Sequence, residues 1–184
     1  MRTTALAAGF CLLAAPALAA SFTVTTPAFH PGGTVPMAQV FNAFGCTGGD
    51  HSPALAWSGA PAGTQSYAVT MYDPDAPTGS GWWHWTVFNI PASVHGLVAD
   101  AGAADSHSLP PGAAQGRTDF GFSHYGGPCP PVGDKPHRYE ITVYALKAPH
   151  LDLDANSSGA LVGFMLHFNT LATARITGHY GRPH

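Results

Sequence analysis

Glycine and proline break this chain into short pieces: 22 glycines and 17 prolines fall among its 184 residues. Proline removes a backbone donor and fixes φ, and glycine weakens helix and strand interiors alike. Aromatic and β-branched runs lie between these breakers, and only 9% of residues are charged. The pattern points to a loop-rich β architecture and argues against a helical bundle. No repeat or linker divides the chain, and about 165 residues after a leader suffice for one domain with a real core.

The periodicities say where regular structure falls. Ser66 to Tyr72 alternates, with Tyr67, Val69 and Met71 on one face, and Trp85 to Ile90 and Tyr139 to Leu146 also read as strands. Turn signals separate them at Gly59-Ala60-Pro61, Thr78-Gly79-Ser80-Gly81 and Pro110-Pro111-Gly112. One helix is specified late in the chain, capped by Asn156 or Ser157. Its apolar residues Leu161, Phe164, Met165 and Phe168 fall at i, i+3, i+4 and i+7, and Asn169 ends it. Ala172 to Tyr180 reads as a last strand. The expected fold is therefore mostly β, an antiparallel core with a C-terminal helix.

Residues 1–19 read as a signal peptide. Arg2 supplies the positive start, Ala5 to Ala15 is apolar but too short to span a bilayer, and Ala17-Leu18-Ala19 is a small-x-small cleavage site. The mature domain then covers residues 20–184, exported to the periplasm or secreted, with no transmembrane segment left after cleavage. Loss of Arg2 leaves six Lys/Arg against ten Asp/Glu. With no basic stripe to neutralise phosphates, nucleic acid is excluded as a partner.

The leader also removes Cys11, so Cys46 and Cys129 are the remaining thiols. An oxidising compartment favours pairing them. The bridge would close a loop of about 80 residues, contributing about 4.5 kcal/mol in the chain-entropy picture. Two buried free thiols are the alternative. A metal pair ranks lower, because neither cysteine has a second one at ligand spacing.

The chemistry sits at strand ends. Pro74 and Pro77 stop the strand that runs into Asp73, placing Asp73 and Asp75 at a sheet edge on a rigid turn. His84 follows among Trp82, Trp83 and Trp85, where a drier surface strengthens any hydrogen bond it makes. Further on, the two-residue period of His137-Arg138-Tyr139 sends His137 and Tyr139 to one face and Arg138 to the other. Arg138 is then a structural residue, with Asp75 as its candidate ion-pair partner. The other histidines read as ordinary structural residues, except His124, which approaches the Pro-rich loop at Pro130-Pro131-Val132-Gly133.

On Asp73-Pro74-Asp75-Ala76-Pro77, Trp82-Trp83-His84-Trp85 and the Pro-rich loop leading to His137-Arg138-Tyr139, the chain resembles the phosphatidylethanolamine-binding protein family. The likeness is to its bacterial, Raf-kinase-inhibitor-like branch, and it runs from about Phe22 to Tyr180. It implies a large antiparallel sheet flanked by a smaller sheet and a helix. It also implies a small anion-binding pocket lined by Asp73, His84, His137 and Tyr139, with Trp82, Gly127 and Pro131 shaping the mouth. Two imidazoles and a phenol would meet a phosphate or carboxylate, with Asp73 keeping an imidazolium favourable. The chain departs from the family at Asp50, where many bacterial relatives carry Asn, and at Cys129, where some eukaryotic relatives carry glycine.

Three function classes follow. The first is an exported binding protein for a small anionic ligand or phosphorylated head group, acting as an inhibitor or modulator of a protein partner, with a symmetric homodimer consistent with this branch. Kinase inhibition itself is not carried over to an exported protein. The second is a hydrolase using Asp73, His84 and His137 as acid–base residues. It ranks lower because Gly121-Phe122-Ser123-His124-Tyr125 lacks the Gly-x-Ser-x-Gly elbow. The third is a metal-binding protein, lowest because the spacings match no compact metal site. No cofactor and no metal are expected in the first reading.

Overall fold

The computed structural model describes residues 21–184, so the leader at residues 1–19 lies outside the described residues. A three-stranded sheet contains β1 (Thr23–Thr25), β2 (Leu55–Ser58) and β5 (Gly96–Leu97), in the order β1-β2-β5. A five-stranded sheet contains β3 (Ser66–Asp73), β4 (Trp82–Pro91), β6 (Ala114–Gln115), β7 (His137–Leu146) and β8 (Thr170–Tyr180), in the order β6-β4-β3-β7-β8. All neighbours in both sheets are antiparallel. The single helix among the described residues, α1 (Gly159–Asn169), runs directly into β8. The expected class, a large sheet with a smaller sheet and a C-terminal helix, is what forms.

The large sheet is the middle layer. One face packs Tyr67, Val69, Met71, Trp85, Tyr139 and Ile141 against Val24, Leu55, Trp57 and Leu97 of the small-sheet side. The other packs Ala68, Phe88 and Leu146 against Val162 and Leu166 of α1. Both faces of β3 are consequently covered, and all its residues are buried except Tyr72. Alternation correctly placed Tyr67, Val69 and Met71 together, but the opposite face is no solvent face: Ala68 and Thr70 pack inside as well.

Two local expectations differ from the structure. The strand expected from Trp85 starts at Trp82, so His84 lies within β4 rather than before it. Met71 pairs with Trp85 and Tyr72 with Trp83, which makes His84 the extra residue of a β-bulge, a device that re-aims a side chain out of the regular pleat.

The second difference is the phase of α1. Its cap is Ser158, whose Oγ accepts from Leu161 N at 3.3 Å, while Ser157 Oγ is engaged with Asp154. The buried stripe is Gly159, Val162 and Leu166, whereas Phe164 and Phe168 are 59% and 57% exposed and Leu161 is 45% exposed. Glycine decides this. The Trp83 ring lies against Gly159, where a Cβ would overlap it, and touches the position of Gly163 one turn on. Two glycines at i and i+4 let the helix approach the sheet closely, and a count of large apolar residues reads them as gaps.

Cys46 and Cys129 are joined by a disulfide, with Cα atoms 6.0 Å apart. Irregular backbone is tied to it: Phe41 N donates to Pro128 O, and Gly48 and Asp50 donate back to Phe41 O and Val40 O. Two long loops are thereby held against each other beside the end of the large sheet.

Candidate functional site

Asp73 closes β3, and antiparallel pairing sets it beside Trp82 at the start of β4. Buried to 2% exposure, its carboxylate accepts from Asp75 N at 2.8 Å and from His137 Nδ1 at 2.7 Å. The first bond is an Asx turn that Pro74 makes rigid. His137 is the first residue of β7 and is buried too, with Nε2 at 3.4 Å from Asp134. Two residues on, Tyr139 is fully buried, and its hydroxyl has no hydrogen-bond partner among the described residues.

His84 faces this pair from β4, its ring edge-on to Tyr139 at 5.2 Å and to Phe120 at 5.3 Å. Its Nδ1 lies 2.7 Å from Gly126 O. A carbonyl can only accept, so Nδ1 carries the proton and Nε2 is the nitrogen left for a ligand. Burial pushes the His84 pKa down to about 4, against the opposing pull of the Gly126 carbonyl and Asp73. His84 is therefore a neutral acceptor near pH 7. The expectation that both imidazoles donate to an anion is corrected at this residue, because its ring proton is committed to the backbone.

These groups meet in one cavity of about 160 Å³, with Trp82, Phe120 and Pro131 among its walls. That is roughly the volume of five waters. Trp82 Nε1 is buried and has no partner among the described residues. Among the described residues no Lys or Arg lines the cavity. Asp73, His84, His137, Tyr139, Trp82 and Pro131, the residues the family resemblance implied, thus line one cavity.

Gly127 is not among them. Its N–H donates to Asp50 Oδ1 at 2.7 Å, and a Cβ there would overlap Gln39 O, so the glycine serves close backbone packing behind the cavity wall. Asp75 and Arg138 also lie outside it. Arg138, on the opposite face from Tyr139 as its period required, binds Asp75 through Nε at 2.8 Å and Nη2 at 2.7 Å, and its backbone N adds a third bond at 2.9 Å. This fork holds the Asp75 carboxyl down at about 2. His124 stacks on Phe122 and stays clear of the cavity.

Sequence reasoning missed Phe120 and Phe44. Phe120 stands edge-on to both Trp82 and His84, held by Asp119, whose Oδ2 accepts from Trp83 N at 2.7 Å. Its position in Asp119-Phe120-Gly121-Phe122, an aromatic beside a loop glycine, was the available signal. Phe44, 69% exposed with φ of +56°, adopts a backbone conformation rare for a bulky residue and forms part of the cavity wall next to the disulfide.

Asp50 supports the site from behind. Burial raises its pKa to about 6, outweighing the Gly127 hydrogen bond that would lower it. A carboxyl whose folded-state pKa is raised favours the native state below its ordinary value of 3.8, and that advantage is lost as pH rises through about 6. The shift corresponds to about 3 kcal/mol at most. Solvent access to this half-buried group reduces it to about 1 kcal/mol. Asp50→Asn keeps the acceptor for Gly127 and tolerates the φ of +56°. It should raise urea-unfolding stability at pH 7.5 by about 1 kcal/mol and leave it unchanged near pH 4. A loss at pH 7.5 would contradict this account of Asp50.

The family model described as phosphatidylethanolamine-binding protein matches residues 25–181. The UPF0098 protein YbcL of Escherichia coli is 54% identical over 180 residues, 98% of each chain. YbhB of the same organism is 50% identical over 149 residues, covering 81% of this chain and 93% of its own. The crystal structure of E. coli YbcL, described as a new member of the mammalian PEBP family, superposes with a TM-score of 0.87 at 58% identity, over 88% of this chain and 99% of that one.

Proposed function

The chain belongs to the phosphatidylethanolamine-binding protein family, and from that premise we propose that it is an exported binding protein whose cavity holds a small oxyanion, the phosphate or carboxylate of a head group. The observation that carries this reading is the convergence of Asp73, His84, His137 and Tyr139 on one cavity whose other walls are mostly aromatic and proline side chains. Tyr139 O–H and Trp82 Nε1–H, of two lining residues, are buried without partners among the described residues, and an unpartnered buried donor costs about 1–3 kcal/mol. Asp73, His84, His137 and Tyr139 are the cavity's polar lining, and Trp82 and Pro131 shape it. Binding rather than turnover is favoured because the cavity offers no activated nucleophile. Cys129 is tied in the disulfide, and His137, oriented by Asp73, has no serine or free thiol before it.

Export is supported by the disulfide, a bond that persists in oxidising compartments. Among the described residues no helix is long and apolar enough to cross a membrane. An intact mass matching a chain that starts at Ala20, two hydrogens short, would establish cleavage after Ala19. Modulation of a protein partner, alone or as a symmetric homodimer, is the further use that the family membership suggests.

Calorimetric titration with inorganic phosphate tests the pocket. His137→Ala should weaken phosphate binding by about 1.5–3 kcal/mol, the range for hydrogen bonds to charged groups, and should also lower stability, because it leaves the buried Asp73 carboxylate without that partner. Arg138→Ala, outside the cavity, should leave affinity nearly unchanged and lower stability only slightly, since its ion pair is solvated. The reverse pattern would remove His137 from the site and the proposal with it.

A further inference from the structure

The two halves of the Cys46–Cys129 bridge are unequally exposed. Cys129 is half-buried and forms part of the cavity wall, whereas Cys46 is only 6% exposed. A thiolate approaching from the cavity side therefore meets the Cys129 sulfur, and the sulfur that must leave is that of Cys46. A cation lies against both. Arg182 Nη1 donates to Cys46 Sγ at 3.1 Å, to Cys129 Sγ at 3.2 Å and to Phe44 O at 3.3 Å. Arg138 and Arg175 are spent on Asp75 and Glu140, but Arg182 has no carboxylate partner among the described residues. Its position does not depend on its side chain, because Gly133 N donates to Arg182 O at 2.9 Å and ties it to the loop that carries Cys129. Phe44, two residues before Cys46, is held at a φ of +56°, and it shares the cavity wall with Cys129, Pro130 and Pro131.

We infer that this bridge is a thiol–disulfide exchange site for a dithiol reductant, in which Arg182 stabilises the departing Cys46 thiolate and opening of the bridge releases a cavity wall. In the first step a reductant thiolate attacks Cys129 Sγ, the Cys46–Cys129 bond breaks, and its electron pair leaves on Cys46 Sγ. In the second, the reductant's other thiolate attacks its partner sulfur in the mixed disulfide and expels the Cys129 thiolate. Two electrons pass from the dithiol, which ends as a disulfide, and the two protons it loses are taken up by the two cysteines. A guanidinium bonds a thiolate more strongly than a neutral disulfide sulfur, because charge assists the hydrogen bond. A neighbouring cation lowers a thiol's pKa, and a thiol of lower pKa leaves faster. Arg182 thus favours the exchange itself. Once the bridge is open, Phe44 is free to leave its left-handed conformation, and the Pro-rich loop loses its covalent tie to the Cys46 loop. An oxidising compartment keeps the bridge closed until a dithiol arrives.

Dithiothreitol added to the folded, oxidised protein near neutral pH tests the inference, with new thiols trapped by alkylation and counted by intact mass. The rate of reduction should be proportional to dithiothreitol concentration and insensitive to urea well below the unfolding midpoint. Arg182→Gln should slow it at least about 10-fold, while Arg182→Lys, which keeps the charge, should stay within about threefold of the parent. A rate that saturates with dithiothreitol and climbs with urea would show that the bridge opens only on unfolding, and would overturn the inference. An R182Q variant reduced as fast as the parent, or an R182K variant as slow as R182Q, would overturn it too, leaving Arg182 as a packing residue. Release of the wall is read separately by amide hydrogen exchange. The amides of Phe41 and Gly127 donate across the two loops to Pro128 O and Asp50 Oδ1. On reduction they should lose at least about 10-fold more protection than the amides of β7. Equal protection in the oxidised and reduced protein would contradict the release of the wall.

Discussion

Asp73→Ala should lower the free energy of unfolding by about 3 kcal/mol, read from the urea midpoint, and abolish measurable phosphate binding. The carboxylate is buried and satisfies two donors, Asp75 N and His137 Nδ1. Its removal strands a buried imidazole and releases the turn that presents Asp75 to Arg138, and stranding one member of a buried polar pair costs several kcal/mol. An unchanged midpoint would mean that the Asp73–His137 pair does not organise this end of the sheet.

The second large effect concerns the disulfide. Cys46→Ala/Cys129→Ala should lose about 3–4 kcal/mol, because the covalent link closes a loop spanning 83 residues of sequence separation. Function should suffer with it. Cys129, Pro130 and Pro131 line the cavity, so freeing this wall loosens the site as well as the unfolded chain. Arg182 lies across the bridge, with Nη1 at 3.1 Å and 3.2 Å from the two sulfurs and 3.3 Å from Phe44 O, and keeps part of the contact in the variant. A double variant as stable as the parent protein would show that the loops hold together by backbone hydrogen bonds alone.

How much of this was legible beforehand depended on the kind of signal. The long strands β3, β4 and β7 announce themselves by aromatic and β-branched runs, and the bridge by the two cysteines that remain after the expected leader. The short strands of the small sheet, three, four and two residues long, carry too few residues for a period to appear. The phase of α1 was misread because its packing face is made of Gly159 and Gly163, whose contribution is the absence of a side chain. In the site, strand parity put His137 and Tyr139 on one face, and their meeting with Asp73 followed from the family resemblance. The neutrality and tautomer of His84 could not be read, since burial in the assembled fold lowers its pKa and a carbonyl 42 residues away in sequence fixes which ring nitrogen carries the proton, and no local pattern encodes either. Phe120 reaches the cavity through a loop fixed by Asp119, a contact equally invisible to periodicity.

The central claim is that the cavity walled by Trp82, His84, His137 and Tyr139 holds an oxyanion, and the indole N–H of Trp82 reports on it. In ¹⁵N-resolved spectra titrated with inorganic phosphate at pH 5, the Trp82 Nε1–H resonance, assigned through Trp82→Phe, should move downfield and saturate as the hydrogen bond forms. The resonance of Trp85, whose Nε1 already donates to Gln115 at 2.6 Å, should stay in place. A Trp82 signal that does not move, or one that moves only together with Trp85, would contradict an oxyanion site at this cavity.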